Sequence, residues 1–308
     1  MIKELEIPNK KLPIVEIPIV GSVQLFMKRE DLVHPEISGN KYWKLLHNVN
    51  NYIRTKPKNP LLISFGGAYS NHIAALAAFG KQHKIPTLGI IRGEEIAYRW
   101  QDNPTLFLAS ENGMAFRFVS RDEYRNKKHL TEELEKEFPE ALVVPEGGTN
   151  ENAVKGIQNM LNADTRIFDY LCTAVGTGGT VSGISKFADE HQKVLGFKVV
   201  ADDSLQEKIA GLSGKENFNL IEAHFGGYGK ISDAEIRFIN EFYCEYNIPL
   251  DPIYTGKMMM ALLEMIEDGF FPKGSKILAF HTGGLQGING VNQMLKKQGK
   301  TSLNFELN

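Results

Sequence analysis

The chain has 308 residues, 35 Lys and Arg against 37 Asp and Glu, a formal net charge of −2, and 42% hydrophobic residues. That length and composition predict a globular protein of about two domains. The near-neutral balance excludes nucleic-acid and anionic-membrane binders, which rely on a basic field.

Elements alternate along the chain. After an irregular start spaced by Pro8, Pro13 and Pro18, the apolar run 61–65 ends at Gly66-Gly67 and predicts a buried strand. A helix follows over 70–84, apolar nearly all round, then a strand over 87–91. Asn103-Pro104 and Gly113 bracket a helix, with proline in its first turn and glycine just past its end. A strand over 115–119, a helix over 122–137 and a strand over 141–144 complete the first half. The second half predicts helix 150–161, strand 170–175, helix 180–191 and strand 195–201. Ser232 and Glu235 have capping-box spacing and open a helix to about Tyr246. Ile253-Tyr254 ends a short strand, and helix 257–267, strand 276–280 and helix 285–297 close the chain. Sustained alternation predicts an α/β protein of two open, twisted, mostly parallel sheets with helices on both faces.

No run approaches the roughly 20 apolar residues of a membrane span, and residues 1–6 have no signal-peptide core. Two cysteines, Cys172 and Cys244, cannot build a disulfide framework and fit a reduced, cytoplasmic setting.

Fifteen of the 29 glycines fall in five clusters at strand ends or before helices, where open α/β sheets bind ligands. The strongest is Val175-Gly176-Thr177-Gly178-Gly179-Thr180, between a strand and a helix. Such a loop turns backbone N–H groups and threonine hydroxyls toward an anion, and phosphate is the natural guest. The dinucleotide fingerprint fails because its last glycine position is Val181, although Asp202-Asp203 lies about where a ribose-binding acid would. A nicotinamide oxidoreductase therefore stays open as an alternative. The Walker, zinc-deaminase, H-E-x-x-H and G-x-S-x-G patterns are absent, and the eight histidines form no metal set. Lys41 follows Ser38-Gly39-Asn40 and precedes an apolar segment. Alone it reads as a surface lysine at a helix start. Together with a phosphate-binding loop, it becomes a candidate Schiff-base nucleophile, because pyridoxal phosphate needs both an imine partner and a phosphate seat.

Six motifs in order carry a resemblance: Lys28-Arg-Glu-Asp-Leu32, Gly39-Asn-Lys41, Gly66-Gly-Ala-Tyr-Ser-Asn-His72, Gly176-Thr-Gly-Gly-Thr180, Tyr254-Thr-Gly-Lys257 and His281-Thr-Gly-Gly284. The set resembles the 1-aminocyclopropane-1-carboxylate deaminase and D-cysteine desulfhydrase family, pyridoxal-phosphate enzymes of the tryptophan-synthase-β fold type. The resemblance implies pyridoxal 5'-phosphate as cofactor, a small amino acid as substrate and a homodimer. It implies a large cofactor-binding domain of residues 1–45 and 149–308 and a small domain of residues 46–148.

Roles follow position by position. Lys41 would form the imine with the cofactor and move protons on the substrate. Asn71 would bond the cofactor's ring hydroxyl oxygen. Gly176, Thr177, Gly178, Gly179 and Thr180 would hold the phosphate. Ser70, Asn71 and His72 would meet the substrate, with Ser70 also acting in ring opening. Tyr228 and Tyr254 would flank the substrate, and Thr255 or Thr282 would face the pyridine nitrogen. In the family, deaminases usually carry glutamate after the second tyrosine and leucine in the last glycine motif, where desulfhydrases carry threonine at both. Here they are Thr255 and Thr282. The resemblance therefore points to D-cysteine desulfhydration, giving pyruvate, ammonia and sulfide, ahead of cyclopropane ring opening. Departures are Ser38 and Trp43 in the lysine segment, Tyr69 before Ser70 and a short stretch after Gly284. A non-catalytic homologue that binds the cofactor is a further alternative.

Overall fold

The computed structural model describes residues 4–8, 10–37, 39–227 and 229–305. Among these residues ten strands form two sheets. They are β1 (Ile14–Ile17), β2 (Gln24–Lys28), β3 (Leu62–Gly66), β4 (Thr87–Arg92), β5 (Met114–Val119), β6 (Leu142–Val144), β7 (Tyr170–Val175), β8 (Lys193–Lys198), β9 (Phe218–Glu222) and β10 (Lys276–Phe280). One sheet has the order β1-β2-β10-β7-β8-β9, the other β5-β4-β3-β6. Only β1 with β2 is antiparallel.

Every residue of β3 and β7 is buried, as expected where helices cover both sheet faces. Alternate residues of the large sheet enter different cores. Leu171, Val175, Leu278 and Phe280 join a central core that also takes Leu62, Ile91 and the helix Asn40–Arg54. Their neighbours Cys172, Ala174, Ile277 and Ala279 enter a second core on the opposite face. Ile63, Phe65 and Ile90 enter a third, beyond the small sheet. The central core thus ties the two sheets together.

Several expectations shift. The start is not irregular: β1 and β2 form an antiparallel pair that seats β2 beside β10. Helix 122–137 is two helices, Arg121–Arg125 and Lys127–Glu137, broken where the Asn126 side chain caps the second. Residues 253–254 are no strand; they form a turn held by Asp251 that starts the helix Thr255–Glu267. The helix after the glycine loop ends at Phe187. The helix Leu205–Ser213 and strand β9 add two elements that carry no strong pattern in the sequence. Ser232 caps its helix by accepting from Glu235 N, but Glu235 does not close a box: its carboxylate is buried.

Candidate active site

The carboxyl ends of β3, β4, β6, β7 and β10 surround a cavity of about 820 Å³. After Val175 the chain turns through Gly176, Thr177 and Gly178 into the helix Gly179–Phe187, and all of residues 176–181 line the cavity. Gly178 has φ +87°, and a side chain there would meet Ile209 at 3.0 Å, so glycine is required. No side chain among the described residues caps this helix, which leaves its first amides for an anion in the cavity. Neighbours brace the loop: Asn40 Nδ2 donates to Thr180 Oγ1 (2.6 Å), and the Thr149 and Thr177 hydroxyls share a bond of 2.5 Å.

Asn40–Arg54 brings Lys41 to the cavity at its first turn. Burial pulls the Lys41 amine down from 10.5 to about 8, against the opposing pull of the Asp251 carboxylate. About a tenth to a fifth of the amine is therefore neutral near physiological pH, far more than for an ordinary lysine, as a nucleophile requires. Three residues on, Lys44 faces the same cavity, 1% exposed, its Nζ donating to Gly147 O at 3.2 Å. A side chain on Gly179 would come within 3.0 Å of this Nζ, so the second amine lies against the glycine loop. Burial, then the charges of Lys41 and Lys208, hold it well below the ordinary lysine value. Nothing in its immediate neighbours singles out Lys44; its signal is the i, i+3 spacing from Lys41, which puts both on one helix face.

The loop after β3 carries Ser70, Asn71 and His72 to the cavity. Ser70 caps the helix Asn71–His83, its Oγ accepting from Ile73 N at 3.3 Å. Asn71 lies against the last glycine motif: a side chain on Gly284 would meet its Nδ2 at 2.8 Å. His72 is 2% exposed, with Nε2 bonded to Ser64 Oγ (2.8 Å) and Nδ1 without a hydrogen-bond partner among the described residues. Burial, then Lys41 and Lys44, push its pKa well below 6.5, so the ring stays neutral.

Tyr254 lines the cavity, its ring close enough that a side chain on Gly176 would meet it at 3.0 Å. Thr282 lines it too, but Thr255 does not. As first residue of its helix, Thr255 is fully buried, and its hydroxyl donates to Asp251 Oδ1 at 2.8 Å. Asp251 also accepts from the backbone N–H groups of Ile253, Tyr254 and Thr255, a cap that sets where Tyr254 stands. Gly39, at φ +66°, packs on this wall so tightly that a side chain would lie 1.9 Å from Thr282 O. Tyr228 lies outside the described residues.

The first motif acts behind the site. Lys28 pairs with Glu30 at 2.6 Å, and Glu30 accepts from Trp43 Nε1 at 2.7 Å; all three are buried. Arg29 grips Asp31 with two bonds, of 2.9 and 2.7 Å, and His281 Nδ1 lies 3.6 Å from Asp31. The network locks the lysine helix to β2 and to the last glycine motif. Among the described residues no cluster could hold a metal ion.

An amine with a lowered pKa, facing an uncapped helix N-terminus across one cavity, suits a cofactor with an aldehyde and a phosphate. Comparison with known families decides it: a profile of the pyridoxal-phosphate dependent enzymes matches residues 6–283. The chain belongs to the pyridoxal-phosphate dependent enzyme family, and its cofactor is pyridoxal phosphate. A bifunctional D-cysteine desulfhydrase/1-aminocyclopropane-1-carboxylate deaminase of Arabidopsis thaliana is 30% identical over 92% of this chain and 78% of its own. A putative 1-aminocyclopropane-1-carboxylate deaminase of Thermotoga maritima is 28% identical over 86% of this chain and 89% of its own. The crystal structure of an ACC deaminase homologue superposes with a TM-score of 0.79 at 25% identity, covering 95% of both chains. A hydrogen sulfide-producing enzyme of Fusobacterium nucleatum shares the fold, with a TM-score of 0.67 at 17% identity over 91% of this chain and 99% of its own. These matches bear out the fold type read from the motifs and replace the nicotinamide alternative. Asp202, the acid that kept it open, accepts from Ser204 N and Oγ at 3.0 and 2.6 Å.

Proposed function

We propose that the protein is a D-cysteine desulfhydrase, converting D-cysteine to pyruvate, ammonia and sulfide. When bound, the cofactor withdraws electrons from the carbons next to the substrate nitrogen. The chain supplies the rest. Lys41 holds the cofactor and moves the α-proton through its amine. Gly176, Thr177, Gly178, Gly179 and Thr180, with Lys44, seat the phosphate. Asn71 bonds the ring hydroxyl oxygen, and Ser70 and His72 receive the substrate carboxylate. Thr282 faces the pyridine nitrogen, Tyr254 flanks the substrate, and Tyr228 takes the role its motif implies.

The observation that carries this reading is the absence, among the described residues, of an unengaged carboxylate on the cavity wall. Thr255 is turned to Asp251, Thr282 is the polar side chain beside the last glycines, and Asp202 is engaged by Ser204. The remaining wall carboxylate, Glu146, is engaged by Tyr124 and Lys127. A pyridine nitrogen without a carboxylate partner makes a shallower electron sink. That suffices to lose a thiolate after α-proton removal and favours it over opening a ring that has no α-hydrogen.

Purified protein should be yellow, and Lys41→Ala should remove its visible band. The holoenzyme should release pyruvate and sulfide from D-cysteine and no 2-oxobutyrate from 1-aminocyclopropane-1-carboxylate. Release of 2-oxobutyrate without sulfide would establish the deaminase reading instead.

A further inference from the structure

The small-sheet wall of the cavity carries a cation with no part in the scheme above. β3, β4 and β6 are adjacent and parallel, with Gly66 opposite Ile91 and Ser64 opposite Val144. Their carboxyl ends bring Gly67, Arg92 and Glu146 to one rim, where Lys127 joins them, and all four line the cavity. The buried Tyr124 ring stands behind. The Arg92 guanidinium carbon lies 5.6 Å from its centroid and Lys127 Nζ 4.6 Å.

Glu146 is committed elsewhere. Its Oε1 accepts from Tyr124 Oη at 2.7 Å, and its Oε2 pairs with Lys127 Nζ at 3.1 Å. Arg92 is exposed, and among the described residues it has neither a carboxylate nor a hydrogen-bond acceptor. The aromatic face orients the guanidinium while its five N–H donors stay available. A side chain on Gly67 would meet Arg92 Nη2 at 3.5 Å, and Ser70 N donates to Gly67 O at 3.1 Å. Arg92 therefore stands over the same tight turn that leads to Ser70.

We propose that Arg92, oriented by Tyr124 beside Lys127, is a subsite for a second anionic group on the substrate. The enzyme would then also bind amino acids whose side chain ends in a carboxylate or a similar oxyanion. A planar guanidinium with free donors suits such a group, through paired charge-assisted hydrogen bonds. The inference rests on the pyridoxal-phosphate reading of the cavity, not on D-cysteine being the substrate.

The test is a titration of the holoenzyme with D- and L-aspartate and D- and L-alanine, following the visible cofactor band. Aspartate of the preferred hand should bind at least about tenfold more tightly than the matching alanine, the gain expected of one charge-assisted contact. Arg92→Gln should remove that advantage, Arg92→Lys should keep part of it, and Lys127→Gln should reduce it less. Aspartate binding no more tightly than alanine would overturn the proposal. So would an unchanged aspartate-to-alanine ratio in Arg92→Gln, which would place the guanidinium on the α-carboxylate or in solvent. A wild-type protein without a visible band would remove the reading beneath it. Failure of D-cysteine turnover with the aspartate preference intact would touch only the desulfhydrase assignment.

Discussion

At the scale of single residues, the proposed chemistry depends on an amine that burial has made less basic. Burial pulls the Lys41 amine down to about 8 in the folded protein from 10.5, the ordinary value that holds in the unfolded chain. Between those values the unfolded chain binds the extra proton, so stability of the cofactor-free protein rises with pH across that window. Below it, the folded state carries a charge it disfavours. Lys41→Met should therefore be more stable than wild type near pH 7. The gap should close by about pH 10.5, as read from denaturant midpoints of the cofactor-free proteins. Cofactor uptake, followed by growth of the visible band, should quicken with pH with its midpoint near 8 as the amine loses its proton. Lys41 was legible in the sequence only through its neighbours in motif order. Lys44 and Asp251 were not: one reads as a polar break in an apolar run, the other as a turn residue. Their surroundings come from residues 147–179 and 284, far along the chain.

At the scale of elements, the site depends on close backbone approach. Gly39 starts the lysine helix at φ +66° with its α-carbon against the Thr282 carbonyl. Gly39→Ala would add both positive-φ strain and a backbone clash that no side-chain rotation relieves. It should cost about 2–4 kcal/mol of stability and sharply weaken cofactor retention, measured by chemical denaturation and by the visible band after dialysis. Most element ranges were readable, because buried parallel strands are short apolar runs closed by glycine. Two of the misreadings share one cause. Residues 121–137 have a continuous helical pattern, but Asn126 caps a new helix, and Asp251 turns residues 253–254 into a helix start. In both places a local side-chain hydrogen bond overrides propensity.

At the scale of the whole molecule, two sheets meet across a shared core and leave their carboxyl ends facing one cavity. We propose that residues 1–45 with 149–308 and residues 46–148 act as two domains around it. The first boundary falls within the helix Asn40–Arg54, so a helix rather than a loop joins them. No helix among the described residues is long and apolar enough to cross a membrane. We propose a cytoplasmic setting, on two cysteines that build no disulfide framework, and a homodimer, on family resemblance. Light scattering of the eluted holoenzyme should report twice the 34.5 kDa chain mass, and a single-chain mass would refute it.

The sequence by itself determined the fold type and the cofactor. Alternating apolar runs and strand-end glycines follow from covering parallel strands on both faces, and six ordered motifs identify the family. Only the tertiary structure decided which residues share the cavity. It turned Thr255 away and Thr282 inward, set Lys44 beside the glycine loop, buried His72 in its neutral form and left Arg92 on the rim with no carboxylate partner among the described residues. These outcomes depend on the order of strands across two sheets and on burial by distant segments, neither of which a linear pattern of residues encodes locally.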